Sequence, residues 1–376
     1  MNRLKILYLV STLQKAGPTS QLYYIISNLS ADITPILVTL SHEPAQSRLN
    51  DFKALGIKHY QLNLSRLEGV FLAKSKLKQI INKELPDVIH SQGFRGDVLA
   101  SKFASKIPVL STVRNFPQLD FPMTYGRVVG SLMAYQQVCA LRKVSQVCGV
   151  SDAVKNNLDK TFNISKAITA LNGVDTNNFY PAKIDQKLSL RNTYGINEKS
   201  RVWISSLGKD TRKNSVTVAA AFKQFLTQYP DDVLIFIGDG QQRAECEKIA
   251  DSNPQFKFFG KVNNVSDYLQ MADYFISASR AEGMPNAVLE AMSCGLPSIL
   301  SDIEPHKEIY ALNSEGCLVF ETENDIDLHD KLVIQVKSDR QNMSNATINA
   351  VREHFSSSTM SAKYQRLYKQ VVSNHE

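Results

Sequence analysis

Two glutamates stand eight positions apart, on either side of a sharp turn, in the stretch AEGMPNAVLEAMSCGLPS, residues 281–298. Glu282 precedes the turn, and Glu290 lies in the apolar segment that follows it. An apolar segment does not need a carboxylate in order to fold, so one explanation for the pair is a ligand. The other explanation is a capping glutamate followed by a solvent-facing helix glutamate.

A short helix is predicted directly after this turn. Pro285 ends any earlier helix, Asn286 can cap the next one, and Gly295 is suited to terminate it. The preceding segment DYFISAS, residues 273–279, has the apolar character of a buried strand. The predicted helix therefore begins at the carboxyl end of a strand, where doubly wound sheets bind their ligands.

The start of that helix is suited to a diphosphate. Backbone N–H groups in the first turn, here around Ala287 and Val288, lack intrahelical partners, and the helix dipole adds positive charge. Glu290, about one turn further on, can accept two hydroxyl hydrogens from a ribose diol. Glu282 lies on the loop before the anion site, where a sugar attached to the diphosphate would lie. The arrangement indicates a sugar-nucleotide site.

Length and charge limit the class of protein. A chain of 376 residues is too long for one ordinary core and predicts two domains. Its 43 lysines and arginines exceed its 36 acidic residues and give a net charge of +7. That excess favours phosphate-bearing ligands or an anionic membrane surface, or it serves solubility alone. No lysine–arginine block suggests a nucleic-acid partner.

The cysteines and the hydropathy pattern predict a cytoplasmic protein. Five scattered cysteines without CxxC spacing indicate neither a disulfide framework nor a zinc site. The opening MNRLKILYLVSTL is broken early by Ser11 and Thr12 and is interpreted as a first buried strand instead of a leader peptide. No run approaches the ~20 apolar residues that a membrane-spanning helix needs.

Short apolar runs alternate with amphipathic segments along the whole chain. Such alternation predicts an α/β protein with two doubly wound, Rossmann-like domains. The predicted strands are KILYLVST, ITPILVTL, DVIHSQ, IPVLSTV, SQVCGVS, RVWISSLG, DVLIFIGDG, FKFFG, DYFISAS and LPSILSD. We place the first domain at residues 1–170, the second at 171–350 and a closing helical segment at 351–376.

Several segments, in this order, resemble retaining glycosyltransferases of the GT-B fold, family 4. Besides the two glutamates they are VSDAV, ALNGVDTNNFYP, SSLGKDTRKN, LIFIGDGQQRAECEKIA, EGCLVF, VREHFS and YQRLYKQ. The resemblance covers nearly all of the second half and is mainly architectural in the first. It implies two Rossmann-like domains with a cleft between them, and a last helix that crosses back to the first domain.

The resemblance also implies roles for individual residues. Glu282 would contact the donor sugar near the reacting carbon, and Glu290 the ribose. Lys213 and Lys209 would neutralise the diphosphate leaving group. The loop 208–213 is about one residue shorter than usual, so either Arg212 or Lys213 reaches the phosphate. The sugar and the distal phosphate would be held by Gly283, Met284, Pro285, Asn286, Ala287 and Val288.

No Asp-x-Asp motif occurs where a sugar nucleotide would need one, so no obligatory metal is expected. The GDG triplet, residues 238–240, is interpreted as a turn whose glycines supply positive φ. Two positions in the first half depart from the family pattern. Gly17 stands alone before Pro18 where paired glycines are usual. Arg114 replaces a histidine and would contact a phosphate or an acidic sugar, or pair with Asp120.

The expected function is transfer of a hexose-type sugar from a nucleotide diphosphate, UDP favoured over GDP, to a glycan or lipid-linked acceptor. Bacterial capsule, O-antigen or lipopolysaccharide assembly is the expected setting. The alternatives are a sugar-nucleotide epimerase of the same architecture and a non-catalytic nucleotide-sugar-binding partner. His90 is interpreted as a packed strand-end residue.

The segment FLAKSKLKQIINKEL, residues 71–85, predicts a helix with one apolar and one basic face. The apolar face is expected to comprise Leu77, Ile80, Ile81 and Leu85. Its basic face is either simply solvated or docks peripherally on an anionic membrane. The final segment is predicted to be a helix with Tyr364, Leu367, Tyr368 and Val371 on one face.

Overall fold

The computed structural model describes residues 3–375, which divide into two compact units. The first unit runs up to Gly173 and takes in the end of the chain from Ser357 onward. The second unit is Val174–Ser356. The chain therefore leaves the first unit once and returns to it.

The first unit is built on a parallel sheet whose strand order is β3-β2-β1-β4-β5-β6-β7. Its strands are β1 (Leu4–Val10), β2 (Ile33–Thr39), β3 (Lys58–Gln61), β4 (Val88–Gln92), β5 (Val109–Val113), β6 (Gln146–Gly149) and β7 (Ala167–Thr169). Its helices are α1 (Gly17–Ser27), α2 (Leu49–Ala54), α3 (Arg66–Glu84), α4 (Phe94–Ala100), α5 (Pro117–Tyr125), α6 (Arg127–Leu141), α7 (Asp152–Phe162) and, at the end of the chain, α16 (Ser357–Ser373).

The second unit repeats this architecture with the strand order β10-β9-β8-β11-β12-β13. Its strands are β8 (Val202–Leu207), β9 (Val233–Gly238), β10 (Phe256–Gly260), β11 (Tyr274–Ser277), β12 (Ser298–Ser301) and β13 (Cys317–Phe320). Its helices are α8 (Ile184–Thr193), α9 (Ser215–Phe225), α10 (Arg243–Ala250), α11 (Val265–Met271), α12 (Asn286–Ser293), α13 (Glu304–Leu312), α14 (Asp325–Lys337) and α15 (Arg340–Ala350).

Both sheets have the topology that creates a ligand site. All strand pairs in the described residues are parallel, so the carboxyl ends of the strands meet along one edge of each sheet. In the first sheet the strand order reverses between β1 and β4, and in the second between β8 and β11. Ligands of such sheets bind at that reversal point.

The ten predicted strands are all present, which confirms the α/β class. Of the other three strands, β13 lies in the segment EGCLVF, which the resemblance implies to be a strand, whereas β3 and β7 were not predicted and are edge strands of only four and three residues. The closing helix buries Tyr364, Leu367, Tyr368 and Val371 in the core of the first unit, as predicted.

One residue of the predicted apolar face of residues 71–85 is placed wrongly. Leu77, Ile80 and Ile81 are buried in α3. Leu85, by contrast, is 68% exposed, because it follows the end of the helix and adopts a left-handed conformation (φ 53°). A left-handed residue ends the helical periodicity, so the side chain no longer continues the buried face.

Helices α5 and α6 approach each other so closely that one contact point excludes any side chain. A Cβ atom on Gly130 of α6 would lie 2.3 Å from the backbone nitrogen of Pro122 and 2.4 Å from the carbonyl carbon of Phe121. Both atoms belong to the backbone of α5 and cannot rotate away. Gly130 therefore fixes how the α5–α6 pair packs.

We expect Gly130→Ala to lower the melting temperature, although alanine is the better helix former. Overpacking costs about 1–3 kcal/mol, whereas the gain in helix propensity is at most about 1 kcal/mol. Thermal unfolding followed by circular dichroism measures the change, with the exposed neighbour Ser131→Ala as the matched control. An increase in melting temperature for Gly130→Ala would contradict the close helix contact.

Candidate functional site

The candidate site of the second unit is formed by loops at the carboxyl ends of β8, β9 and β11. The first two loops touch backbone to backbone. A Cβ atom on Gly240 would lie 1.7 Å from the carbonyl oxygen of Gly208, and one on Gly238 would lie 2.3 Å from that of Leu207. Gly238 also has a φ of +96°, which confirms the predicted turn. Glycine at these positions thus lets the β9 loop support the β8 loop.

The central contact is an ion pair between the β8 and β11 loops. Lys213 Nζ lies 2.7 Å from Glu282 Oε1, and both side chains are mostly buried. Ser279 Oγ donates a second hydrogen bond of 2.9 Å to the same carboxylate oxygen. Burial alone would raise the pKa of Glu282, but Lys213 holds it below its usual range. Glu282 is therefore a carboxylate at neutral pH.

Glu290 has the opposite electrostatic character. It lies in α12, and burial raises the pKa of its carboxyl group to about 7, although the nearby charge of Lys213 opposes that shift. A carboxyl group with this pKa exchanges its proton near neutral pH. A ligand that donates hydroxyl hydrogens to it would stabilise the charged form. One lysine thus influences both glutamates of the AEGMPNAVLE stretch.

The start of α12 differs in detail from the prediction. The helix begins at Asn286, so the cap position is Pro285 and the Asn286 side chain does not occupy it. The N–H of Val288 already donates to the carbonyl of Pro285 at 3.0 Å. The expectation of an unpaired N–H group at Val288 is therefore wrong. Gly283, Met284 and Ala287 lie in the same turn and first helical residues, as expected from the sequence.

The cations of the β8 loop have different environments. Arg212 Nε lies 2.9 Å from Asp210 Oδ2 within the loop itself, whereas Lys213 reaches across to Glu282. Lys209 is exposed on the same loop. Arg280 ties the two loops together, since its N–H donates to the carbonyl of Arg212 at 2.8 Å and its Nη1 to that of Thr211 at 2.7 Å.

His306 belongs to this site but was not predicted from the sequence. It is fully buried near the start of α13, with its ring nitrogens 2.9 Å from Ser301 Oγ and 3.3 Å from Ser277 Oγ. Burial lowers its pKa to about 4, although the charge of Glu282 opposes that shift. The ring is therefore neutral at pH 7. Its position directly after the carboxyl end of β12 is the signal that sequence reasoning could have used.

The candidate residues of the first unit also lie at carboxyl strand ends. Gly17 opens α1 after β1. Arg114 follows β5, and it donates to Asn172 Oδ1 at 2.8 Å and to Gln92 Oε1 at 3.0 Å. The carboxylate of Asp120 accepts the backbone N–H of Phe116 at 2.8 Å. The observed contacts of Arg114 are thus with the side-chain amides of Asn172 and Gln92, which carry no charge.

His90 is a packed residue, as interpreted from the sequence. Its ring is fully buried, with Tyr368 Oη and Thr112 Oγ1 at 2.7 and 2.8 Å, and burial lowers its pKa to about 3.

Comparison with known proteins identifies the family. A model of glycosyl transferases group 1 matches residues 186–354, and a model of glycosyltransferase family 4 matches residues 17–178. Together they span most of both units. With its two Rossmann-like units, the protein is a glycosyltransferase of the GT-B fold. It belongs to family 4, the glycosyl transferases group 1.

Individual relatives agree with this assignment. The chain is 26% identical over 281 residues to an Escherichia coli UDP-Gal:alpha-D-GlcNAc-diphosphoundecaprenol alpha-1,3-galactosyltransferase, covering 70% of each chain. It is 23% identical to the E. coli O-antigen biosynthesis glycosyltransferase WclY, covering 97% of this chain and 98% of that one. The structure of Anabaena Alr3699/HepE in complex with UDP superposes with a TM-score of 0.79 at 16% identity, over 98% and 100% of the two chains.

Residues 3–375 lack two features, a membrane-spanning helix and a cluster of metal-binding side chains. No helix there combines the length and apolar character needed to cross a bilayer. No three His, Cys, Asp or Glu side chains in the same residues are grouped so that they could hold a metal ion.

We expect Lys213→Gln to destabilise the second unit in a pH-dependent way. In the wild type the pKa of Glu282 lies below its ordinary value of 4.5, so the pair stabilises the fold above that pH and loses its effect as the pH falls. In the variant the buried carboxylate has no cation, which raises its pKa. The loss should be about 1–3 kcal/mol at pH 8 and should shrink toward pH 5, where the carboxyl group takes up a proton.

Urea unfolding at the two pH values measures this difference. Lys209→Gln removes the same charge from an exposed position of the same loop and serves as the control. An equal loss for Lys213→Gln at pH 5 and pH 8 would show that the lysine acts through packing instead of through its charge.

Proposed function

We propose that this protein transfers a sugar from a UDP-sugar to a hydroxyl group of a lipid-linked glycan, with retention of the anomeric configuration. The observation that carries the proposal is the Lys213–Glu282 ion pair beside the half-buried Glu290, at the reversal point of the second sheet. These three side chains match the parts of a sugar nucleotide. Lys213 is a cation for the diphosphate, Glu282 is a charged carboxylate beside the sugar, and Glu290 is a carboxyl group that titrates near neutral pH.

Support for a UDP-sugar donor comes from the relatives and from Glu290. The Anabaena structure contains UDP, and the name of the E. coli galactosyltransferase specifies UDP-Gal. In the proposed complex the Glu290 carboxylate accepts both ribose hydroxyl hydrogens. The turn from Gly283 to Val288 holds sugar hydroxyls and the distal phosphate, with the N–H of Ala287, in the first turn of α12, directed to the anion.

The chemical step places negative charge on the leaving diphosphate. Lys213 exchanges its partner Glu282 for the phosphate, and Lys209 and Arg212 add further positive charge from the same loop. Fixed cations aimed at this developing charge stabilise the transition state more than the ground state. Because these side chains already supply the countercharge, the proposal needs no obligatory divalent metal.

Glu282 acts in this proposal by electrostatics and positioning. Its Oε1 accepts a hydrogen bond from Ser279 that remains when Lys213 leaves, and this bond lowers its nucleophilicity. When the lysine turns to the phosphate, the freed carboxylate faces the sugar and stabilises the positive charge at the reacting carbon. The acceptor hydroxyl then attacks from the face that the diphosphate leaves and gives its proton to the leaving phosphate oxygen, which yields retention without a covalent enzyme intermediate.

The relatives support the proposed acceptor and its setting. One is named for a diphosphoundecaprenol-linked acceptor, and WclY for O-antigen biosynthesis. We therefore place this protein in bacterial cell-surface polysaccharide assembly, working on the cytoplasmic side of the membrane. The epimerase alternative loses its support with the assignment to a family of transferases.

We expect UDP-glucose to bind more tightly as the pH rises from 6 to 8. The ribose diol binds the carboxylate form of Glu290, and with a pKa of about 7 that form grows by up to about tenfold over this range. UDP-glucose is the suitable probe because its diphosphate is a diester and does not titrate there. Isothermal titration calorimetry at pH 6, 7 and 8 measures the dissociation constant.

Glu290→Gln is the matched variant, since the amide keeps the shape of the side chain and removes its titration. It should bind weakly and show a flat pH profile. Glu282→Gln should retain UDP-glucose binding while transfer to membrane lipid extract falls by at least about 100-fold. If no UDP-sugar binds the wild type while a GDP-sugar does, the proposed donor is wrong.

A further inference from the structure

The first unit contains an apolar groove that the proposed donor chemistry does not use. Its volume is about 880 Å³, within the range of small-molecule sites, which is about 300–1,000 Å³. Helices α3, α4, α5 and α6 form its walls, with Val70, Val98, Phe121 and Met133 among the lining side chains. The lining is mainly hydrophobic, so the groove suits an apolar occupant.

The groove lies at the ligand-binding edge of its sheet. Ser11 follows β1, Leu40 follows β2 and Phe94 follows β4, and all three line the groove next to carboxyl strand ends. The strand order of this sheet reverses between β1 and β4. Topology therefore places the groove where a doubly wound unit binds its ligand.

The apolar surface continues outward from the groove along two helices. Phe71 of α3 and Val128 of α6 are 79% and 83% exposed, and Leu67 and Leu132 are also exposed on these helices. Such a run of large exposed side chains beside an apolar groove is not needed for the core of the unit. It forms an extended path for an apolar chain longer than the groove itself.

A pair of arginines supplies positive charge at one side of this groove. Arg66 and Arg95 both line it, and no carboxylate within residues 3–375 forms an ion pair with either. Burial lowers the pKa of Arg95, and the neighbouring charge of Arg66 lowers it further. The nearby carboxylate of Glu68 is engaged in capping α3, because it accepts the N–H of Ser65 at 2.9 Å.

Gly69 keeps this pair together. It lies inside α3, where glycine costs up to about 1 kcal/mol relative to alanine. A Cβ atom at this position would lie 2.7 Å from Arg95 Nη2. The missing side chain thus lets the guanidinium of Arg95 rest against the helix that carries Arg66. Two like charges held together without a counterion form a site for a multivalent anion.

We infer that this groove binds the lipid diphosphate of the acceptor, with the chain along the apolar walls and the diphosphate on Arg66 and Arg95. The inference rests on the proposed function and deepens it, since it assigns the carrier part of the acceptor to a site. A bulk anionic membrane fits the observations less well. The exposed side chains of α3 and α6 and the lining lysines Lys102 and Lys143 would suit such a surface, but it does not require a concave groove with two adjacent arginines, which suit a bidentate ligand.

Farnesyl diphosphate is a soluble probe that contains both parts of this ligand. Calorimetry should detect its binding to the full-length protein. Farnesol, which lacks the charge, and inorganic pyrophosphate, which lacks the chain, should each bind at least about tenfold more weakly. Equal binding of pyrophosphate and farnesyl diphosphate would overturn the inference, because the groove would then contribute nothing.

Arg66→Gln, Arg95→Gln and Gly69→Ala should each weaken farnesyl diphosphate binding by about tenfold or more. Arg66 is exposed, so its replacement does not challenge folding, and Gly69→Ala displaces Arg95 without removing a charge. Arg366→Gln, which removes an exposed arginine from α16, is the matched control and should bind normally.

UDP-glucose binding, measured on the same samples, separates this inference from the proposed function. Retained UDP-glucose binding without any farnesyl diphosphate binding overturns the groove assignment and leaves the donor proposal standing. Sedimentation with vesicles of phosphatidylcholine and 30% phosphatidylglycerol tests the other occupant. If the arginine variants lose vesicle binding and the wild type ignores farnesyl diphosphate, the surface docks on membranes and the inference is wrong.

Discussion

The arrangement of the second unit depends on a buried carboxylate that joins α8, β8 and β11, from which the loops of the candidate site extend. Asp273, just before β11, lies 2.6 Å from both Lys187 Nζ and Arg191 Nη2 of α8 and accepts the N–H of Val202 at 2.9 Å. Burial opposes its charge, yet the two cations keep the pKa of Asp273 below its usual value. The cluster fixes the start of β11 next to the start of β8. The parallel pairing of the two strands begins one residue further on, with Tyr274 opposite Trp203. The loops that carry Lys213 and Glu282 therefore leave neighbouring strands at the same height, and their 2.7 Å contact follows from the register.

The two glutamates show how one sequence stretch supplies groups with different charge. Glu282 and Glu290 are eight positions apart, and both are withdrawn from water to a large extent. Only Glu282 receives a direct ion pair and a serine hydrogen bond, so its pKa falls, while the pKa of Glu290 rises to about 7. The different surroundings thus make Glu282 a permanently charged group and Glu290 a group that titrates near neutral pH. Site chemistry thus depends on the loop from β8, which is some 70 residues earlier in the chain.

The sequence predicted the architecture because buried parallel strands are continuous apolar runs, and ten of them were recognisable. It missed β3 and β7 because short edge strands bury few side chains and therefore lack that pattern. It named Glu282, Glu290 and Lys213, but the ion pair between Lys213 and Glu282 depends on strand order, which periodicity does not specify. His306 was missed for the same reason, since it joins the site only through the pairing of β11 with β12. The cap position of α12 and the exposure of Leu85 were misjudged because helix ends depend on backbone angles of single residues.

The last helix has a consequence for how the chain is made. Helix α16 supplies Tyr368, whose hydroxyl group lies 2.7 Å from the ring of His90, and Tyr364, whose ring stacks on the same histidine. Tyr368 and His90 are separated by 278 positions in the chain. The second unit is synthesised in full before α16, so the first unit still exposes the core around Tyr8 and His90 when every residue of the second unit has been added. The first unit, although its translation begins first, is therefore the last to close, and a chain that stops before α16 would contain the whole second unit and an unfinished first unit.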